Sequence, residues 1–253
     1  MTRIISIVNQ KGGVGKTTTA INLLDYLSQR NKKVLLVDLD PQANATSGLG
    51  LGPEKVSLSV YEILTGQAHP RQAIIEIKNQ TFHLIPSSVD LAGGVIELVN
   101  QENREFRLLN VLEKIKEEYE YIVIDCPPSL NLLTVNGLVA SKEVLIPVQA
   151  EYYALEGLGQ LLNTINLIKL DLNPDLKILG AVVTMYEQRR RLAQEVWLEL
   201  YRHFPGRIFR SVIPRSVALA EAPSFGKSIF DYAPRSKGAK AYSRLAKEIL
   251  ETK

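Results

Sequence analysis

The residues best equipped for chemistry are Lys11-Gly12-Gly13-Val14-Gly15-Lys16-Thr17-Thr18. Glycines let a backbone wrap a phosphate closely with its N–H groups turned inward. Lys16 then neutralises β- and γ-phosphates, and the Thr17 hydroxyl is suited to ligate Mg²⁺. The context supports this reading. Ile4-Ile5-Ser6-Ile7-Val8 is a β-branched run that predicts a buried strand, and Thr18 to Gln29 predicts a helix. A helix N-terminus beyond the loop adds partial positive charge. Gln10 stands where the general phosphate-loop pattern has its first glycine, and a second lysine, Lys11, follows it. One lysine suffices for the β/γ-phosphates, so Lys11 has no evident task on its own nucleotide.

Two further runs end in acids. Val34-Leu35-Leu36-Val37-Asp38-Leu39-Asp40 and Tyr121-Ile122-Val123-Ile124-Asp125 are apolar strands followed by carboxylates. In open α/β sheets the ligand lies beyond the carboxyl ends of the strands, which puts Asp38, Asp40 and Asp125 near the phosphates. One carboxylate there can hold Mg²⁺ directly or through water, and another can orient or deprotonate the attacking water.

These residues need a scaffold, and the pattern supplies one. Strands are expected at Ile4–Val8, Val34–Val37, Phe82–Ile85, Tyr121–Ile124, Glu143–Pro147 and Ile178–Val183, with a short one near Ile208–Val212. Helices are expected at Thr18–Gln29, Val60–Leu64, Arg104–Glu118, Leu130–Ala140, Leu155–Ile168, Ala193–Tyr201 and Gly238–Glu251. Near-continuous apolar strands alternating with helices predict an α/β fold, a mostly parallel twisted sheet with helices on both faces. With no linker, repeat or low-complexity stretch, residues 1–253 are expected to form a single domain. Hydrophobic residues make up 45% and charged residues 23%, an ordinary globular balance. No apolar run approaches the roughly 18 residues of a membrane span. Met1 leads almost directly into the first strand, so no signal peptide is expected, and the lone Cys126 allows no intrachain disulfide; both fit a cytoplasmic protein. His69, His83 and His203 lack metal-ligand spacing.

Charge is uneven. Residues 1–150 carry 14 basic and 16 acidic side chains, a net −2, whereas residues 151–253 carry 16 and 11, a net +5. The densest cluster is Arg189-Arg190-Arg191, followed by basic residues that include Arg202, Arg207, Arg210, Lys227, Arg235, Lys237, Lys240 and Lys247. Without interleaved aromatics or a recognition helix, this surface suits sequence-independent, salt-sensitive contact with DNA phosphates. In the last helix Ala239, Tyr242, Leu245, Ala246, Ile249 and Leu250 fall at helical spacing, and the chain stops at Glu251-Thr252-Lys253, which favours a core-packing helix over a membrane anchor.

Lys-Gly-Gly-Val-Gly-Lys-Thr-Thr at 11–18, Val-Asp-Leu-Asp-Pro-Gln at 37–42 and Ile-Asp-Cys-Pro-Pro-Ser at 124–129 resemble the ParA/Soj chromosome- and plasmid-partitioning ATPases. So do Glu-Tyr-Tyr-Ala-Leu-Glu-Gly-Leu at 151–158, Ile-Pro-Arg at 213–215 and Glu-Ala-Pro-Ser at 221–224. The resemblance covers essentially the whole chain. It implies a P-loop NTPase with a deviant Walker A loop that takes ATP and Mg²⁺. Lys11 is then the signature lysine reaching the nucleotide of a dimer partner. Gly12, Gly13, Val14, Gly15, Lys16, Thr17 and Thr18 cradle the phosphates, and Met185, Pro214 and Arg215 build the adenine pocket. Thr17 ligates Mg²⁺, supported by Asp125; Asp40, also placed at the metal, positions the water, with Lys11 and Lys16 as its catalytic companions. Asp38 takes a structural or Mg²⁺-shell role.

The same resemblance implies an ATP-bound homodimer on non-specific double-stranded DNA and a ParB-like centromere-binding partner that stimulates hydrolysis. It implies a cytoplasmic, nucleoid-associated protein of the short branch, with no added N-terminal DNA-binding domain and no membrane partner. The DNA-binding residues are expected to be Arg189, Arg190, Arg191, Lys227, Arg235 and Lys247. Ala218 departs from the family, which often has a base there: either other residues carry the contacts, or binding is weaker. The alternative within the same fold is a MinD-like membrane-cycling regulator, which the C-terminal helix does not support.

Overall fold

The runs around Val34–Val37 and Ile122–Ile124 have no polar face to give to water, so they are stable as strands only inside a sheet covered on both sides. The computed structural model, which describes residues 2–78, 81–151, 154–187 and 191–252, places them there. In chain order the elements are β1 (Arg3–Ile7), α1 (Lys16–Ser28), β2 (Val34–Asp38), α2 (Asn44–Gly48), α3 (Val60–Thr65), β3 (Ile75–Lys78), β4 (Phe82–Ile85), α4 (Asp90–Val99) and α5 (Arg107–Glu113). There follow β5 (Tyr121–Asp125), α6 (Leu132–Ala140), β6 (Glu143–Gln149), α7 (Ala154–Asp171), β7 (Lys177–Thr184), α8 (Arg191–His203), α9 (Val217–Glu221), α10 (Ile229–Tyr232) and α11 (Lys237–Glu251).

The strands form one seven-stranded sheet in the order β3-β4-β2-β5-β1-β6-β7. Every neighbouring pair is parallel except the edge pair β3 and β4. From β1 the chain runs to β2 on one side, and from β5 it runs to β6 on the other side of β1. β6 in turn runs outward to β7, so the loops after the neighbouring strands β1 and β6 leave in opposite directions and open a crevice at their carboxyl ends. Side-chain alternation divides the interior. Leu35 and Val37 join the core under α3 to α8, and Val34 and Leu36 join the core under α1, α10 and α11.

Four sequence expectations need correction. The stretch 104–118 is not one helix: α5 is flanked by single 3-10 turns at Arg104–Phe106 and Lys116–Glu118. Ile115 leaves the helical conformation at φ −134° and points into the core. The strand near Ile208–Val212 is an irregular run beside β7, with Phe209 N–H on Ala181 O (2.9 Å) and Ile213 N–H on Val183 O (2.8 Å). Between them the Glu248 carboxylate takes the N–H groups of Arg210 (2.9 Å) and Ser211 (2.8 Å), so the ladder is broken. Edge strand β3 was not foreseen. Nor was α4, which carries Gly93-Gly94; a Cβ at Gly94 would collide with the Tyr61 ring.

Candidate functional site

The phosphate loop is held from behind and open in front. Thr184, at the end of β7, donates its hydroxyl to Val14 O (2.8 Å). Asn9 donates to Pro147 O (2.7 Å) and accepts from Lys11 N–H (2.9 Å). Gly13 and Gly15 have φ of 73° and 89°, where a side chain would be strained. Helix α1 starts at Lys16, with Gly15 as its N-cap and no side chain capping its first turn. Those first amides are the anion donors a phosphate requires. The Lys16 side chain is buried, and its ammonium lies 3.2 Å from Lys11 O. Burial lowers its pKa, while the charges of Asp125 and Asp40 pull it back up.

A cleft of about 720 Å³ in front of the loop is lined by Gly12, Gly13, Gly15, Lys16, Thr17 and Thr18 together with Asp40, Met185 and Pro223. An adjoining pocket of about 300 Å³ is lined by Gly15, Thr18, Met185, Pro214, Arg215 and Tyr242, among others. Phosphate-loop and base-pocket residues expected from sequence thus meet in two connected cavities, which share Gly15, Thr18 and Met185. Met185 itself has a left-handed backbone (φ 51°). The sequence placed Tyr242 on the core face of the last helix and Pro223 in the Glu-Ala-Pro-Ser run, but assigned neither to this site; the packing of the C-terminal segment brings them here.

The three acids differ in environment. Asp40 lines the cleft and accepts from Gln42 N–H (3.0 Å). Asp38 is fully buried and does not line that cleft; it accepts from the Thr46 hydroxyl (2.7 Å), Thr46 N–H (2.8 Å) and Asp40 N–H (3.2 Å). Burial raises its pKa to about 6 against those donors. Asp125 is also fully buried, and neither of its oxygens has a hydrogen-bond partner in good geometry. Burial first, then the charge of Asp38, raise its pKa to about 8, and the nearby Thr17 hydroxyl and Lys16 only partly offset this. Two orphaned carboxylate oxygens beside Thr17 fit a hydrated cation, which would supply the donors they lack. Among the described residues no three His, Cys, Asp or Glu side chains gather to bind a metal unaided. That suits Mg²⁺, which takes few protein ligands and completes its shell with phosphate and water. Behind Asp125 lies Cys126, buried, with its thiol pKa raised by burial.

Lys11 pairs with Glu151 of its own chain (2.7 Å), which also accepts from Gln149 (2.7 Å). Of the basic residues expected to face DNA, Arg189 and Arg190 lie outside the described residues. Arg191 opens α8 and pairs with Glu195 (3.1 Å). Lys227, Arg235 and Lys247 are exposed on the α10–α11 segment. Lys237, Lys240, Arg244 and Lys247 are the exposed basic residues of α11 and, at spacings of three and four, share one face. None of the four has an ion-pair partner among the described residues. Ala218 is half-buried against the α11 side of the core.

Phosphate loop, orphaned buried carboxylate and crevice at the carboxyl ends of the strands together define the class of P-loop nucleotide hydrolases. The family model described as an AAA domain matches residues 2–178. The sporulation initiation inhibitor protein Soj of Bacillus subtilis is 52% identical over 249 residues, covering 98% of each chain. The chromosome partitioning protein ParA of Myxococcus xanthus is 49% identical, over 98% of this chain and 88% of its own. Among solved structures, the cobyrinic acid a,c-diamide synthase of Mycobacterium smegmatis with bound ATP analog and magnesium superposes with a TM-score of 0.88. It is 38% identical, over 99% of this chain and 95% of that one. The chain belongs to the Soj/ParA family of chromosome-partitioning ATPases.

Proposed function

We propose that this chain is an ATP-driven DNA-segregation switch, acting as one unit over residues 1–253. ATP sits with its phosphates on Gly12–Thr18 and its base between Met185, Pro214 and Arg215. Mg²⁺, held by Thr17 with Asp125 and Asp40, would screen the phosphate charge. Lys16 binds the β/γ-phosphates, and Asp40 orients the attacking water. Two copies close on their nucleotides, each Lys11 leaving Glu151 for the partner's phosphates. The closed pair binds DNA through backbone phosphates, and a ParB-like protein stimulates hydrolysis and releases it. This cycle implies a cytoplasmic, nucleoid-associated protein; among the described residues no helix is long and apolar enough to cross a membrane.

One observation carries the reading: α11 has a nucleotide side and a basic side. Its Tyr242 lines the base pocket and shares a hydrogen bond with Thr19 of α1 (3.1 Å). Its outer face presents Lys237, Lys240, Arg244 and Lys247 to solvent. A change at the nucleotide thus has a short, packed route to cations that suit phosphate contact.

The test is binding to non-specific duplex DNA at low and high salt with ATP, with ADP and without nucleotide. Binding confined to ATP and falling steeply with salt is the expected result. Equal binding in all three states, or none in any, would sink the reading. Anionic vesicles in a parallel arm test the membrane-cycling alternative.

A further inference from the structure

Asp38 is the first of the two acids that end an apolar strand, yet it is walled off from the cleft that Asp40 lines. Its three donors come from the two ends of one short segment. Asp40 N–H (3.2 Å) lies at the start, and Thr46 N–H (2.8 Å) and hydroxyl (2.7 Å) lie in α2. The carboxylate thus staples residues 40–46 into a closed loop. The loop reaches further through one atom: the Thr46 hydroxyl oxygen also accepts from Ser87 N–H (3.0 Å), just beyond β4. Thr46 is 2% exposed, so its hydroxyl donates and accepts with no exchange for water. Two other contacts complete the enclosure. Ala43 N–H bonds Asp40 O (2.8 Å), and Gln42 N–H bonds the Asp40 carboxylate (3.0 Å). Asp40 is thus held on one side by this loop and on the other by Leu39, whose N–H bonds Asp125 O (3.0 Å).

We propose that Asp38 and Thr46 form a clamp that sets the position of Asp40 for hydrolysis, with Thr46 a positioning residue that never touches nucleotide. The inference rests on the reading that Asp40 orients the attacking water. Its energetic logic is that a charge-assisted, fully buried hydrogen bond holds a short loop rigidly. The methyl of Thr46 is not the operative part; the hydroxyl is, because it alone links β2, α2 and the segment after β4.

The experiment uses the full chain with Thr46→Val, which keeps the shape and removes the hydroxyl, and Thr46→Ser, which keeps the hydroxyl. Single-turnover ATP hydrolysis, affinity for a fluorescent ATP analogue and thermal unfolding are measured for each. The valine variant is expected to lose about tenfold or more in hydrolysis rate. Its ATP affinity should stay within about twofold, because the phosphate loop is untouched. The serine variant should regain most of the rate. A valine variant that melts earlier yet hydrolyses at the parental rate would overturn the clamp, as would parallel losses of affinity and rate. Should Thr46→Val not fold, Thr46→Ala removes the same hydroxyl with less bulk. Failure of both while Thr46→Ser folds would assign the hydroxyl to stability alone and also overturn the proposal. Asp40→Ala separates the two readings: parental hydrolysis in that variant rejects the role of Asp40, whatever Thr46→Val does.

Discussion

At the scale of single residues, burial without a partner is the dominant fact, and Asp125 is where it has a measurable consequence. Its carboxyl is fully buried, has no hydrogen-bond partner in good geometry, and burial pushes its pKa up to about 8 from the ordinary 3.8. In the unfolded chain the group ionises at its ordinary value, so over the interval between the two the folded, ligand-free protein holds a proton that the unfolded chain has lost. The stability it contributes is full below the ordinary value and is lost as pH rises through about 8. Urea unfolding of ligand-free protein should therefore show stability declining from about pH 5 to about pH 8, and Asp125→Asn should flatten that decline. The same residue marks the limit of sequence reading. Strand-then-acid patterning located Asp38, Asp40 and Asp125 together, but not their division of labour. Asp38 is a backbone anchor only because Thr46, eight residues on, folds back onto it.

At the scale of elements, the helix that follows Asp40 is held by contact with the C-terminal segment. Gly50, past the end of α2, meets Gly226 backbone to backbone: a Cβ on Gly226 would lie 2.7 Å from Gly50 Cα. Gly226 also has a φ of 62°, which costs any side chain. Gly226→Ala should destabilise the protein by about 1–3 kcal/mol, read as a lower urea midpoint with an unchanged slope. An unchanged midpoint would mean that the loop yields freely. The Glu-Ala-Pro-Ser run at 221–224 was visible in sequence only as a family resemblance. Its physical task, a turn packed on α2 and lining the nucleotide cleft, required the fold. Longer periodic elements such as α1, α6, α7, β2 and β5 were legible because their apolar spacing is their reason to exist. Short α2, α9 and α10 owe their shape to neighbours: Ser228 caps α10 while donating to buried Asp25 of α1, and Asn22 of α1 accepts Ile229 N–H (2.7 Å).

At the scale of the whole molecule, charge is distributed by face. Four basic residues of the C-terminal part stand on the outside of α11, whose Tyr242 lines the pocket beside Met185 and Pro214. If Lys240 and Arg244 each neutralise one DNA phosphate, replacing both by alanine lowers the steepness of log K against log salt by about 1.8 per protomer. ATP binding should be unaffected, and a parental salt slope would place the DNA elsewhere. Net composition already suggested a polyanion-facing side, and Lys240, Arg244 and Lys247 fall between the apolar positions of the last helix in the sequence; that this helix also lines the pocket beside Met185 and Pro214 required the fold. One enclosed atom has a practical reach beyond any of this. Cys126 is the only cysteine in the chain, and it is buried so closely that a Cβ on Gly137 would lie 2.7 Å from its sulfur. The native protein is thus nearly silent to maleimides, and a single cysteine introduced on the outer face of α11 would carry a fluorophore or spin label alone, with no need to remove the natural thiol first.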